Sequence, residues 1–305
     1  MNGSVIKTKN LLEYIFFSNY FYGICAVALS IEASLQQRFP LNGVLYFGLI
    51  FIITTLYYVY PYVRKTKLSN NPRTNWYTRN YTLMRWHQVL FTIIIAMAAT
   101  LFIIKYTYLI KEISPVQWIL IMVFPTAGIF YYGLNFLLKG FTLRKIGWLK
   151  PFIIGFTWAG FVTIYPVLFY DIINGDDYDF NWVSGLLFLK NLMFIAVLCI
   201  MFDIKDYASD CLCSLRTFVV NHGLRKTIFK ILLPLSVIGL VIFICYALLH
   251  QFHPVKIILN IIPFLLMIVV AYSLHKRRSL LYYLSIVDGL MLAKAICGTI
   301  AIKYF

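Results

Sequence analysis

Carboxylates are scarce in this chain. Its 305 residues carry 11 Asp and Glu against 27 Lys and Arg, and no acidic side chain stands between Glu32 and Glu112. Charged residues make up 12% of the whole, where soluble domains run near a quarter, which excludes an ordinary water-soluble fold. Gly/Ser linkers and low-complexity tracts are missing as well, so nothing divides the chain. It reads as a single polytopic membrane domain over residues 1–305. Cysteine numbers only six, lying in apolar runs or on one expected membrane face, which argues against disulfides. Cys211 and Cys213 lack the second pair or nearby histidine that four-coordinate zinc requires.

What the chain has instead is apolar length: 61% hydrophobic residues with a mean hydropathy of +0.80. A bilayer-spanning helix takes roughly 20 mostly apolar residues. Runs of that kind fall near 14–30, 42–60, 87–106, 117–138, 150–170, 181–203, 227–249, 255–274 and 279–302. The expected fold is therefore all-α, an integral membrane bundle of about nine transmembrane helices. Lys7 and Lys9 precede the first run, but Glu32, Gln36 and Gln37 follow it where a signal peptide would need small residues, so the first helix is read as uncleaved.

The net charge of +16 on its own would suit a nucleic-acid binder, yet in a membrane chain the distribution of cations decides. With a cytoplasmic N-terminus, twenty Lys and Arg fall on the cytoplasmic side and five on the other: Arg38, Lys105, Lys111, Lys256 and Lys303. That asymmetry is the positive-inside pattern. It predicts a multi-pass protein of a bacterial plasma (inner) membrane, N-terminus cytoplasmic, with membrane lipids and no nucleic acid as partners.

One constellation carries chemistry. MFDIKDYASD at the end of the sixth run spaces Asp203, Asp206 and Asp210 by three and four residues. At 100° per residue the three carboxylates share one helical face within about 60°. Stacked acids raise one another's pKa unless a cation neutralises them. Oxygen-only ligands suit a hard cation such as Mg²⁺, which shares its shell with substrate phosphates. The plainer reading is a solvated helix end whose aspartates meet Lys205, Arg216 or loop arginines.

Asp-x-x-Asp-x-x-x-Asp, written DIKDYASD, closing the sixth of nine helices resembles the second aspartate-rich motif of the UbiA superfamily of intramembrane prenyltransferases. LRKIGWLKPFIIGFTWAG, residues 143–160, is similar to that family's connection into its fifth span. The resemblance implies a UbiA-like fold and Mg²⁺ held by Asp203, Asp206 and Asp210. It further implies transfer of a prenyl group from a polyprenyl diphosphate to a lipid-soluble, aromatic acceptor.

The family's first motif, an Asn-x-x-x-Asp-x-x-x-Asp run expected around residues 54–80, is absent here. In its place stands YYVYPYVRKTKLSNNPRTNWYTRNY. Arg64, Lys65, Arg73 and Arg79 are the candidate diphosphate contacts, because a guanidinium grips phosphate through a bidentate fork. The alternative assigns most of these cations to topology and lipid headgroups. The missing motif also leaves open a non-catalytic member of the fold that binds an isoprenoid or lipid. A transporter ranks last, since no paired half-helices break the spans.

Asp288, Lys190 and Lys294 lie within apolar runs, where charge must face protein or water. An interhelical Asp288–Lys190 pair is one expectation, and Asn135 and Asn191 are candidates for hydrogen bonds between helices. The loop with Asp171, Asp176, Asp177 and Asp179 departs from the twelve-residue calcium pattern and reads as solvated.

Overall fold

The structure, a computed structural model, describes residues 11–63, 71–132, 146–176, 181–213, 215–249 and 251–305. Arg64, Lys65, Asn135, Asp177 and Asp179 lie outside the described residues. Among those described, every regular element is a helix. Six are long and apolar enough to cross a membrane, so the protein is an all-α, multi-pass membrane protein. These are α5 (Tyr81–Lys105), α8 (Lys150–Asn174), α9 (Trp182–Leu212), α11 (Leu224–Leu249), α12 (Pro254–Ser273) and α13 (Leu280–Tyr304). The first expected span is a broken one, α1 (Leu11–Phe17) and α2 (Tyr20–Gln36), bent by 65°. The second and fourth expected spans are the shorter apolar helices α3 (Val44–Val59) and α7 (Pro115–Tyr132). Short helices α4 (Pro72–Arg79), α6 (Thr107–Glu112) and α10 (Phe218–His222) complete the order. The sixth span continues past its expected end at 203, so all three aspartates sit on one uninterrupted helix.

The chain packs as two compact units, residues 1–28 with 42–112 and residues 29–41 with 113–305. In the first, the break between α1 and α2 falls at Asn19, a buried residue with a φ of 65°. Asparagine tolerates this left-handed conformation better than most residues. Its side chain also makes the break a hub. Asn19 Nδ2 donates to the Tyr58 carbonyl at 3.1 Å and to the Tyr77 hydroxyl at 3.0 Å, while Oδ1 accepts from Arg73. Arg73 lies 4.2 Å over the Tyr62 ring and donates to its hydroxyl at 3.3 Å. Helix α4 delivers Arg73 to this point: Pro72 opens the helix with a preset φ, and the Asn71 side chain caps the Arg73 N–H. Burial pushes the Tyr77 hydroxyl above its usual pKa, with Arg73 opposing.

In the second unit, α8 and α9 run antiparallel at close quarters because Gly155 has no side chain. A Cβ there would lie 2.8 Å from the Leu192 carbonyl. Midway along α8 the pair is joined by Asn191 Nδ2 donating to Thr163 Oγ1 at 2.7 Å, the interhelical hydrogen bond expected of Asn191. At the start of α8 it is joined by Lys150 and Asp203. Helix α8 takes a π-helical turn over Gly160–Ile164 ahead of Pro166, whose missing N–H already interrupts the ladder. Within that turn the Thr163 carbonyl accepts from Gln37 Nε2 at 3.0 Å, and Gly160 lets the Phe124 ring of α7 press against the helix. Phe194, Phe243 and Phe264 bring α9, α11 and α12 together around edge-on and stacked rings. Helix α5 of the first unit is the opposite case, with 6% of its apolar window buried inside the protein, a surface suited to lipid.

Candidate functional site

Helix α9 supplies the site. Its 31 residues span about 46 Å at 1.5 Å per residue, more than a hydrocarbon core of about 30 Å requires. Roughly twenty residues from the exposed Trp182 reach Met201, so the aspartates begin where the apolar core ends. Their environments differ. Asp203 is fully buried, and its Oδ1 accepts from Lys150 Nζ at 2.6 Å. Among the described residues its Oδ2 has no hydrogen-bond partner. Asp206, one turn later, is 41% exposed on its side chain and lies 3.1 Å from Lys205. Asp210 is buried again.

The shared face expected from the spacing is thus one buried acid, one open acid and a second buried acid along a single helix. Among the described residues no three Asp, Glu, His or Cys side chains converge closely enough to hold one ion by themselves. Mg²⁺ seldom needs that, since it is bound by one or two carboxylates with waters and phosphate oxygens completing its shell. The orphaned Asp203 Oδ2 and the exposed Asp206 are the groups that fit such an ion.

Of the cations named as diphosphate contacts, Arg73 is committed to Asn19 and Tyr62 inside the first unit, and Arg79 is exposed at the end of α4. Lys150, one of the twenty cations of the expected cytoplasmic side, is the one the structure brings to Asp203. Its position directly before Pro151, at the first turn of a span, was the available signal: a cation there is held at the membrane boundary, where an acid on the neighbouring helix ends its own crossing.

Deeper in the second unit lies a polar cluster that the sequence only half revealed. Glu32 on α2 is fully buried and accepts from Lys294 of α13 through Oε2 at 2.6 Å, while Lys190 of α9 stands 3.7 Å from Oε1. Gln36 Nε2 donates to Glu32 Oε1, and Gln36 Oε1 accepts from Lys190 at 2.7 Å. The Tyr246 hydroxyl donates to the Gln36 carbonyl at 2.9 Å. Lys190 therefore turns to Glu32 and Gln36 and not to Asp288, as the expected pairing had it. Gly298 makes room for the carboxylate, for a Cβ there would fall 2.6 Å from Glu32 Cγ and Oε1. Gln36 Nε2 also donates to Asn260 Oδ1 of α12 at 3.4 Å, so five helices converge on this cluster, where both ammonium groups turn to the one carboxylate, the usual arrangement for ionisable groups at membrane depth. Lys190 is 13 residues from Asp203 along α9, about 20 Å, so the cluster and the aspartates are separate features.

No family model, curated protein or solved structure matches this chain.

Proposed function

We propose that the chain is a UbiA-like membrane prenyltransferase with a reduced diphosphate site, in which the α9 aspartates act without a second acidic motif. The observation that carries this reading is Asp203: a fully buried carboxylate at the end of a membrane crossing, one oxygen on the Lys150 ammonium and the other without a hydrogen-bond partner among the described residues, with the exposed Asp206 one turn away. Six long helices, one bent pair and two shorter apolar helices supply as many apolar segments as a nine-span bundle of that family. The cation distribution supports a bacterial plasma membrane with the N-terminus and the aspartates on the cytoplasmic side.

In this reading the donor is a prenyl diphosphate, whose tail lies among apolar helices. Asp203 and Asp206 would hold Mg²⁺, whose charge would neutralise the diphosphate. Lys150 adds a fixed positive charge beside the same group. As the allylic C–O bond breaks, the bonding electrons pass to the departing diphosphate, and the Lys150 ammonium already in place stabilises that charge in the transition state. The lipid-soluble acceptor then bonds to the allylic carbon and loses a proton.

A second reading has its own observation. Lys150 already occupies Asp203 Oδ1, and no carboxylate lies between Glu32 and Glu112 to complete a two-motif site. Both facts suit a member of the fold that binds an isoprenoid ligand without transferring it. The deciding experiment gives purified protein radiolabelled prenyl diphosphates of several lengths with Mg²⁺ and a membrane lipid extract. Transfer that disappears in Asp203→Asn and Asp206→Asn supports the enzyme. Binding without diphosphate release supports the second reading, and neither binding nor release from any donor sinks both.

A further inference from the structure

We propose that the end of α11 carrying Arg225, Lys226, Phe229 and Lys230 is a binding site for the phosphate of an anionic glycerophospholipid. These four residues line a cavity of about 270 Å³. Arg225 and Lys226 lie on the first α-helical turn, and Phe229 and Lys230 stand about one turn on, in the π-helical stretch Ile228–Leu232, so all four share one side of the helix. Thr227, Ile228 and Leu232 face the protein and are buried. The local fold holds this face in position. Gly223, with a φ of 77°, turns the chain from α10 into α11, and Thr227 Oγ1 reaches back to the Gly223 carbonyl at 2.9 Å and the Phe218 carbonyl at 3.2 Å.

Charge identifies the ligand class. All three cations are exposed, and none has an ion pair among the described residues. No Asp or Glu occurs anywhere between Asp210 and Asp288, so the neighbouring sequence offers no carboxylate to them. Arginine and lysine gathered around one cavity suit a phosphate ester, Arg as a fork and Lys as a point charge. Position then separates a lipid phosphate from a soluble one. The cavity sits at the end of a 26-residue membrane helix, where headgroups lie. Phe229 is 46% exposed and meets the Tyr272 ring of α12 at 6.4 Å, also largely exposed. Val237, Ile238 and Val241 carry exposed apolar surface further along α11. A soluble anion has no use for that surface, whereas acyl chains attached to the bound phosphate do.

The test uses the full chain in nanodiscs of phosphatidylcholine doped with phosphatidylglycerol, with native mass spectrometry counting the lipids that stay bound. Wild type should retain phosphatidylglycerol over phosphatidylcholine, and Arg225→Gln/Lys226→Gln/Lys230→Gln should lower its apparent affinity by at least about tenfold. Removing the same number of cations elsewhere, as Lys105→Gln/Lys111→Gln/Lys303→Gln, should leave retention as in wild type. Phe229→Ala should weaken phosphatidylglycerol without abolishing the headgroup preference. The proposal is overturned by equal retention of the two lipids, by equal losses in the two triple variants, or by millimolar inorganic phosphate displacing the lipid, which would mark a soluble anion site. If the α11 variant fails to fold, Phe229→Ala and the phosphate competition still decide.

Discussion

Lys294 Nζ meets Glu32 Oε2 at 2.6 Å, closing an ion pair between residues 262 positions apart and deep among apolar helices. Lys190 approaches the same carboxylate less closely, at 3.7 Å, and shares its protons with Gln36. One anion thus answers two cations, and the three positions are unequal in what their removal leaves behind.

Glu32→Gln leaves both ammonium groups buried without a counter-ion and should destabilise the protein by about 3–5 kcal/mol. Lys190→Met leaves a one-to-one pair and should cost less than about 1.5 kcal/mol. Thermal unfolding in detergent orders the two variants; equal losses would contradict the unequal roles of Glu32 and Lys190.

Gly298→Ala puts a methyl group 2.6 Å from Glu32 Cγ and Oε1, overpacking that should cost about 1–3 kcal/mol. Gly289, on the same helix with nothing within 4 Å of a Cβ, provides the contrast. Gly289→Ala should stabilise by about 0.5–1 kcal/mol through helix propensity. Melting curves of the two variants should move in opposite directions.

Lys150→Met strands the buried Asp203 carboxylate and should cost about 3–5 kcal/mol. Lys150→Met/Asp203→Leu removes both charges and should recover most of that loss, giving a coupling free energy readable from a double-mutant cycle. Strict additivity of the two single changes would show that the pair does not form.

Asp206→Asn separates folding from function. The side chain is exposed, so stability should stay within about 0.5 kcal/mol of wild type. Magnesium-dependent binding of a prenyl diphosphate should fall at least about tenfold, since each metal-bound carboxylate contributes strongly. Isothermal titration with and without Mg²⁺ reads the second effect, and unchanged binding would remove Asp206 from the site.

Membrane character was legible because it depends on local composition: a helix must satisfy its own backbone in lipid, so long apolar runs announce themselves. Asp203, Asp206 and Asp210 were legible because helical spacing fixes the face they share. Lys150 and Glu32 were not legible as partners. Each stands near the end of an apolar run, where a charge can as well face water, and pairing depends on which helix lies alongside. Asn19 stands out in the sequence as an interruption of the first apolar run, but the bend itself depends on tertiary partners, because such an asparagine marks a bend only when Tyr58, Arg73 and Tyr77 surround it.

By itself the sequence determined an all-helical membrane protein, the spacing of its aspartates and the imbalance of its charge, all properties of single segments. The tertiary structure alone decided that Lys150 answers Asp203, that Glu32 answers Lys294, and that Arg225, Lys226 and Lys230 surround an open cavity. Helix formation satisfies the backbone within each segment and leaves the side chains unassigned. Those assignments come from close approach, where residues such as Gly155 and Gly298 let two helices touch and bring distant charges within bonding distance.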